Sequence, residues 1–409
     1  GREEDAITPL EGLKAALGDK TRLIVAKGAD IDNQDTTGFA DAVAAAKQAD
    51  AVVMLLGEHP DMSAEANNRT SLDLPGVQEQ LALAVAATGK PVALVLLNGR
   101  PLSIGRLKGK VPAILEAWFP GVEGGHAIAD VLFGDVNPSA KLPVTFPHNV
   151  GQVPIYYAHK NTGRPPSEQE KYTSKYLDVP WTPLYAFGHG LSYTTFRYDN
   201  VQADNAGVSF DVTNTGDCAG DEVAQLYIHK PNAEVFRPAK ELKGFQRVHL
   251  EKGETKRVTI PFDGYTFRYF NVRTNRFEVE GGEYELLIGA SCRDIRLTAK
   301  HTEQGTNAPN PYSQLTVQSY RTACVTDVSD ADFTALLGHA IPPHLWDKTQ
   351  PLTLNDTVTQ LRYAKNPLAR LIYRILTRMK NKATAAGKPD LNLLFIYNIP
   401  FRGMAKMMN

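Results

Sequence analysis

Ala51-Val52-Val53-Met54-Leu55-Leu56-Gly57 and Val92-Ala93-Leu94-Val95-Leu96-Leu97-Asn98-Gly99 are short, uninterrupted apolar runs, one closed by glycine and one by the turn pair Asn-Gly. Runs of this length without polar alternation read as strands buried on both faces, because each face meets a covering layer and not water. Between them Val77, Leu81, Ala84 and Val85 recur at helical spacing, with Gly89 placed where a helix would stop. Ala113 to Ala117 is a third strand, ended by Trp118-Phe119-Pro120-Gly121, and Ala127 to Phe133 is helical with Gly134 as its stop. Upstream, Arg22 to Ala26 and Ala40 to Ala49 fit a further strand and helix. Strand, helix, strand in this order requires right-handed crossovers, which predicts an open, mostly parallel α/β sandwich domain over 1–150.

Beyond it the texture changes twice. Over 151–199 prolines alternate with Tyr156, Tyr157, Tyr172, Tyr176, Trp181 and Tyr185, aromatics that need packing partners, so the stretch reads as an ordered connecting segment. Over 200–300 a period of two appears in Val208, Phe210 and Val212, in Val223, Gln225 and Tyr227, and in Tyr284, Leu286 and Ile288. Asn214-Thr215-Gly216, Glu251-Lys252-Gly253 and Glu280-Gly281-Gly282 punctuate it, which predicts a fibronectin type III-like antiparallel β-sandwich. His301 to Asn310 reads as a polar linker. The remainder, 311–409, reads as a partly helical extension in which Leu368, Leu371, Ile372, Ile375, Leu376 and Met379 share one helical face beside Arg370, Arg374 and Arg378. That apolar face is expected to dock on the rest of the protein or on a partner subunit, in preference to an anionic membrane.

Composition closes several routes. The 409 residues carry 44 basic and 45 acidic side chains, a formal net charge of -1, which gives the chain no general grip on nucleic acid. Cys218, Cys292 and Cys324 are too few and too scattered for a disulfide framework or a zinc site. Lys90 interrupts the longest apolar stretch, so a membrane is disfavoured as a partner. The opening Gly1-Arg2-Glu3-Glu4-Asp5 lacks an initiator Met and a signal pattern, so the chain is expected to be processed or part of a longer polypeptide. The compartment stays open between bacterial cytoplasm and periplasm, and a homo-oligomer is left open.

In an open parallel sheet, ligands bind outside the carboxyl ends of the strands. Three segments must emerge there together: 57–74, Asn98-Gly99-Arg100 and Trp118 to Glu123. No Gly-x-Gly-x-x-Gly, Walker loop or Gly-x-Ser-x-Gly is present, which disfavours a nucleotide site and a hydrolase serine. The long first loop offers carboxylates instead, at Glu58, Asp61 and Glu65, with His59 and Arg69 nearby. By residue type alone Glu65 reads as a solvated loop acid and Glu58 as an anchor bonding backbone amides. Trp118 reads as a core aromatic or, alternatively, a sugar platform.

The motifs nevertheless form a known succession. Gly57-Glu58, Glu65-Ala66-Asn67-Asn68-Arg69 and Leu97-Asn98-Gly99-Arg100-Pro101-Leu102 come first. They are followed by Pro120-Gly121-x-Glu123-Gly124-Gly125, Phe133-Gly134-Asp135-x-Asn137-Pro138, Asn161-Thr162-Gly163-Arg164-Pro165 and Phe187-Gly188-His189-Gly190-Leu191-Ser192-Tyr193. In that order they resemble the second domain of family 3 glycoside hydrolases, near the periplasmic-type bacterial β-glucosidases. Arg237-Pro238-x-Lys240-Glu241-Leu242-Lys243-Gly244-Phe245 resembles the fibronectin-type domain that follows.

The resemblance implies hydrolysis of terminal non-reducing β-D-glucosyl residues by a retaining mechanism, with no metal or organic cofactor. It implies that Glu65 is the general acid/base, with Glu58, His59, Arg69 and Trp118 binding substrate or supporting the loop. Retaining glycosidases set such an acid about 5–5.5 Å from a carboxylate nucleophile. In this family the nucleophile is an aspartate on a preceding β/α barrel, and nothing in this chain resembles that barrel. An O-glycosyl hydrolase that is inactive as the isolated chain is therefore expected, with an oligosaccharide or β-glucoside and the missing barrel as partners. The rival reading is a non-catalytic carbohydrate-binding or assembly module built from the same domains. Arg69 is expected to brace the loop and not to pair with Glu65.

Overall fold

The computed structural model describes every residue except 1–2, 161, 163, 313–316, 318–327, 343–346 and 408–409. Asn161 and Gly163 of the Asn161–Pro165 motif, and Cys324, lie outside the described residues. The chain forms two units, Gly1–Asp332 and Phe333–Asn409.

The first unit opens with helices α1 (Pro9–Leu17) and α2 (Phe39–Gln48), then β1 (Val52–Gly57), α3 (Gln78–Ala86), β2 (Val92–Leu97), β3 (Ala113–Glu116) and α4 (Gly124–Phe133). The three strands form a parallel sheet in the order β1-β2-β3, with Gly57 opposite Leu97 and Leu96 opposite Glu116. Met54, Leu56, Leu94 and Leu96 on one face meet Ala46 of α2 and Leu81, Ala82 and Val85 of α3 in one buried core. The other face is sealed at β2, where Val95 is fully buried, but at β1 Val53 and Leu55 stay exposed. Elsewhere α1 and α4 interlock through glycines, since a Cβ on Gly12 would stand 2.0 Å from the Gly125 carbonyl oxygen. Gly134 ends α4 in the left-handed conformation its position in the sequence predicts.

The Arg22–Ala26 segment corrects one expectation. It lies outside every strand among the described residues, and Val25 is 63% exposed. A strand is made by its neighbour's hydrogen bonds as much as by its own side chains, and no strand of this sheet pairs with this stretch.

Gly57 is the tightest point at the sheet's carboxyl end. A Cβ there would lie 1.9 Å from the Leu97 carbonyl oxygen, across the very ladder that pairs the two residues. Gln78 clamps the same peptide, accepting from Gly57 N at 2.8 Å and donating to Gly57 O at 2.7 Å. The Leu97 backbone cannot give way, so Gly57→Ala should destabilise by about 3 kcal/mol or more. A lowered urea midpoint checks this; an unchanged midpoint would show that the ladder end can open without penalty.

The sandwich comprises a four-stranded sheet, order β12-β11-β6-β7, facing a three-stranded one, order β4-β5-β8. Its strands are β4 (Phe196–Ala203), β5 (Gly207–Asn214), β6 (Gly220–His229), β7 (Glu241–Leu250), β8 (Thr255–Pro261), β11 (Gly282–Gly289) and β12 (Ile295–Glu303), with a hairpin of β9 (Arg268–Asn271) and β10 (Arg276–Val279). All its pairs are antiparallel, and Val208, Phe210, Val212, Tyr284, Leu286 and Ile288 fill the interior. Here a second expectation is corrected. His301, Thr302 and Glu303 belong to β12 and not to a linker, because the His301 ring is buried and stacks on Phe267 at 5.0 Å.

Two of the motifs meet in space. Asn137 Oδ1 accepts from Tyr193 N at 2.8 Å and Ser192 Oγ at 2.9 Å, while its Nδ2 donates to Ala219 O at 2.9 Å. One half-buried amide thereby straps the α/β domain to the sandwich. In the connecting segment Tyr157 stacks on Phe187 at 4.5 Å, whereas Tyr156, Tyr172 and Tyr176 remain exposed, against the expectation that all the aromatics there are packed.

In the second unit the helix Pro367–Ala385 is capped by Asn366, whose Oδ1 accepts from Leu368 N at 2.8 Å. Helices Leu391–Asn398 and Phe401–Met407 follow, and Leu393, Tyr397, Val358 and Ala364 are buried. Leu368, Leu371, Ile372, Ile375 and Met379 are exposed, so among the described residues no element of this unit covers the apolar stripe.

Candidate active site

The parallel sheet delivers three chain segments to one end, and Glu58 ties them together. Its amide donates to Leu97 O at 2.8 Å, which extends the β1–β2 ladder by one residue past Gly57 and points the side chain across the mouth of β2. That side chain is fully buried. Oε1 receives Arg69 Nη1 at 2.6 Å and Arg100 Nε at 3.0 Å. Oε2 receives Ser63 Oγ at 2.8 Å and the Gly99 amide at 3.2 Å. Burial works against its charge, but hydrogen bonds from Arg69, Ser63 and Gly99 together with the Arg100 charge outweigh it and hold the carboxyl below its usual range.

The two arginines carry the hold outward. Arg69 Nη2 donates to Asp73 O at 2.8 Å, and Arg100 bonds Ser63 Oγ and the Met62 carbonyl. Both ends of the loop bearing Glu65 are thus fastened to one carboxylate. Arg69 spends its guanidinium on Glu58 and Asp73, not on Glu65. Arg100, absent from the residues expected to support the loop, is a second guanidinium on Glu58 beside Arg69; its place directly after the Asn98-Gly99 turn was the available signal.

Glu65 itself sits on a tight turn, where Asn67 N donates to Ala64 O at 3.1 Å and Ala66 takes φ +62°. A non-glycine residue in that region costs roughly 1 kcal/mol or more. The Glu65 side chain is exposed, and among the described residues its carboxylate has no ion-pair or hydrogen-bond partner. His59 is exposed too; its Nδ1 accepts from Asp61 N at 3.3 Å, opening the turn Pro60–Met62. Trp118 is half-buried, packs on Phe146 at 6.0 Å and takes φ +53°. The structure therefore joins Glu58 with Arg69 directly and leaves Glu65 and His59 on the solvent side of the same loop.

Glu116 escaped the sequence reading. It ends β3, its Oε1 accepts from Trp118 N at 3.2 Å, and burial pushes its carboxyl up to about 7, helped by the Glu58 charge and opposed by hydrogen bonds from Trp118 and Asn98. A carboxylate inside an apolar strand run was the signal. Among the described residues no group of three or more His, Cys, Asp or Glu side chains could hold a metal ion, and no helix is long and apolar enough to cross a membrane.

Comparison with known proteins bears on this geometry. Residues 2–193 match the glycosyl hydrolase family 3 C-terminal domain, and residues 222–292 the fibronectin type III-like domain. A periplasmic β-glucosidase of Salmonella typhimurium is 42% identical over 328 residues, covering 72% of this chain and 42% of that protein. A β-xylosidase of Formosa agariphila is 42% identical over 295 residues, 70% of this chain and 40% of the relative. The chain thus spans about two-fifths of the length of these relatives. The crystal structure of a Listeria innocua β-glucosidase in complex with glucose superposes with a TM-score of 0.69 at 36% identity, covering 74% of this chain and 42% of that one. Sheet, sandwich and both domain matches together place the chain in glycosyl hydrolase family 3, as a polypeptide carrying the family's C-terminal domain and a fibronectin type III-like domain.

Proposed function

We propose that this chain supplies the general acid/base, Glu65, of a retaining β-glycosidase whose aspartate nucleophile belongs to a β/α barrel outside the sequence described. The observation that carries this reading is the loop itself. A buried carboxylate with two arginines is spent on fixing a strained turn, and the turn presents a carboxyl that has no partner among the described residues, at the end of a parallel sheet where ligands bind. A loop that merely connects β1 to α3 has no use for such an anchor. Glu65 protonates the departing glycosidic oxygen and then takes a proton from the water that releases the sugar. Arg69 and Arg100 act through Glu58 to hold the loop, and Trp118 forms part of the mouth's wall. The relatives named β-glucosidase and β-xylosidase support a β-linked glucosyl or xylosyl unit as the substrate class.

One carboxyl cannot run this reaction alone. The isolated chain is therefore expected to leave an aryl β-glucoside unhydrolysed over the buffer rate, while the same chain joined to the barrel turns it over. Robust hydrolysis by the isolated chain, abolished in Glu65→Gln, would falsify the two-carboxylate assignment. Tight glucose binding by the isolated chain without any turnover in the joined protein would instead favour a binding module.

A further inference from the structure

The helix Pro367–Ala385 turns its apolar face away from the unit that holds it. Tyr373, Thr377 and Lys380, at spacings of four and three, share the face that meets Tyr397 of the helix Leu391–Asn398. Thr377 Oγ1 lies 3.1 Å from the Tyr397 hydroxyl, the Tyr373 ring 6.3 Å from the Tyr397 ring, and Lys380 Nζ 5.1 Å over it. At 3.6 residues per turn that face stands about 150° around the axis from Leu368, Leu371, Ile372, Ile375 and Met379. Those five side chains are 43% to 62% exposed. Arg370, Arg374 and Arg378, each four residues after the last, form a row along the flank of the stripe, and with Lys382 they are exposed. Among the described residues no carboxylate pairs with any of these four cations. Between Asp356 and Asp390 the chain carries eight basic residues and no acidic one, and over Phe333–Asn409 the count is eleven against three.

We propose that this helix is an interfacial anchor, lying in the plane of an anionic lipid bilayer with its apolar stripe among the acyl chains and its arginine row on headgroup phosphates. An apolar face beside a cationic one, on a helix of low overall hydrophobicity, is the pattern that binds such surfaces. Laid flat, its 19 residues cover about 28 Å. Among the described residues no helix is long and apolar enough to cross a membrane, so the contact is one of surface and not of span. Charge decides between the possible occupants. A second copy docked stripe to stripe would bring two rows of unpaired cations together in a unit already strongly basic, and like charges repel. An anionic bilayer answers both features at once, since it takes up apolar area and draws each basic side chain near it. Sequence alone favoured a protein partner for this stripe. The structure shifts that balance, because the helix already has its protein support, on another face. The anchor is independent of the reading of Glu65 as acid/base.

The test is co-sedimentation of the intact chain with lipid vesicles. Vesicles of phosphatidylcholine mixed with phosphatidylglycerol should carry it into the pellet at low salt, and vesicles of phosphatidylcholine alone should leave it in the supernatant. The triple variant Arg370→Gln/Arg374→Gln/Arg378→Gln should bind the mixed vesicles about 100-fold more weakly, at about five-fold for each charge lost. Raising the salt to about 1 M, where the screening length falls to about 3 Å, should weaken the wild type towards that variant. Ile372→Asp/Ile375→Asp should abolish pelleting. All five positions are exposed, so the urea midpoints of both variants should match the wild type. Equal pelleting with the two lipids, or a triple variant that binds as the wild type does, would overturn the proposal. So would failure of the wild type to pellet, a result that needs no variant. In that event, a mass by light scattering that halves in Ile372→Asp/Ile375→Asp would make a second copy the occupant, and an unchanged mass would mean that the stripe is covered by another protein surface.

Discussion

Glu65→Gln is expected to slow hydrolysis of a β-glucoside with a poor leaving group by about 10²–10⁴-fold, the range that a positioned general acid contributes, in the chain joined to its barrel. The loss should nearly vanish in the glycosylation step for a glucoside whose leaving group departs without a proton, such as a dinitrophenolate. An acid catalyst matters in proportion to the charge the departing oxygen would otherwise carry, so the dependence on leaving-group basicity, and not the size of the loss, identifies its role. Stability should stay within about 0.5 kcal/mol, because the Glu65 side chain is exposed and, among the described residues, holds nothing. Urea curves and a series of aryl glucosides read both quantities. Equal losses across the whole series would mean that glutamine had misplaced the loop, and the acid/base reading would fall.

How much of this was visible beforehand divides along the range of the interactions. β1, β2 and β3 follow from unbroken apolar runs, α3 and α4 from helical spacing and their glycine stops, and the sandwich from alternation between turns. Each of these signals is written within a dozen residues. Arg22–Ala26 carries the same apolar signature but gains no strand, since a ladder needs a partner that local sequence does not specify. His301 looked polar enough for a linker and is held in β12 by a ring stack with Phe267, far off in sequence. The site shows the same limit. Glu58 was legible as an anchor for backbone amides, and the Gly99 amide is one of its donors, yet the second arginine at position 100 reaches it only because β2 runs beside β1. Glu116 reaches the mouth of the sheet opposite Leu96 only through the β2–β3 pairing, so no local pattern could have brought it there.

Glu58→Ala should then be the most destabilising substitution at the mouth of the sheet, by about 3–5 kcal/mol, the cost of removing one member of a buried ion pair. Two guanidiniums would be left under cover, the Ser63 hydroxyl and Gly99 amide would lose their acceptor, and the loop would be freed at both ends. Glu58→Gln keeps the bulk and one acceptor oxygen, so its loss should be smaller but still clear. The pH dependence has a definite sign. The folded carboxyl lies below its ordinary value of 4.5, so its contribution is complete above that value and is lost as pH falls through the folded one. The gap between wild type and Glu58→Gln should accordingly be widest near neutrality and close in acid, as urea midpoints from pH 7 down to pH 3 would record; a gap that grew in acid would contradict an ionised Glu58. Activity supplies the contrast with Glu65. A loosened loop misplaces the acid for every substrate, so Glu58→Gln should depress turnover of all leaving groups alike, where Glu65→Gln selects the poor ones. If instead Glu58→Gln showed the leaving-group dependence and Glu65→Gln did not, the proton donor would be the buried carboxyl, and the exposed one would be the ornament of its loop.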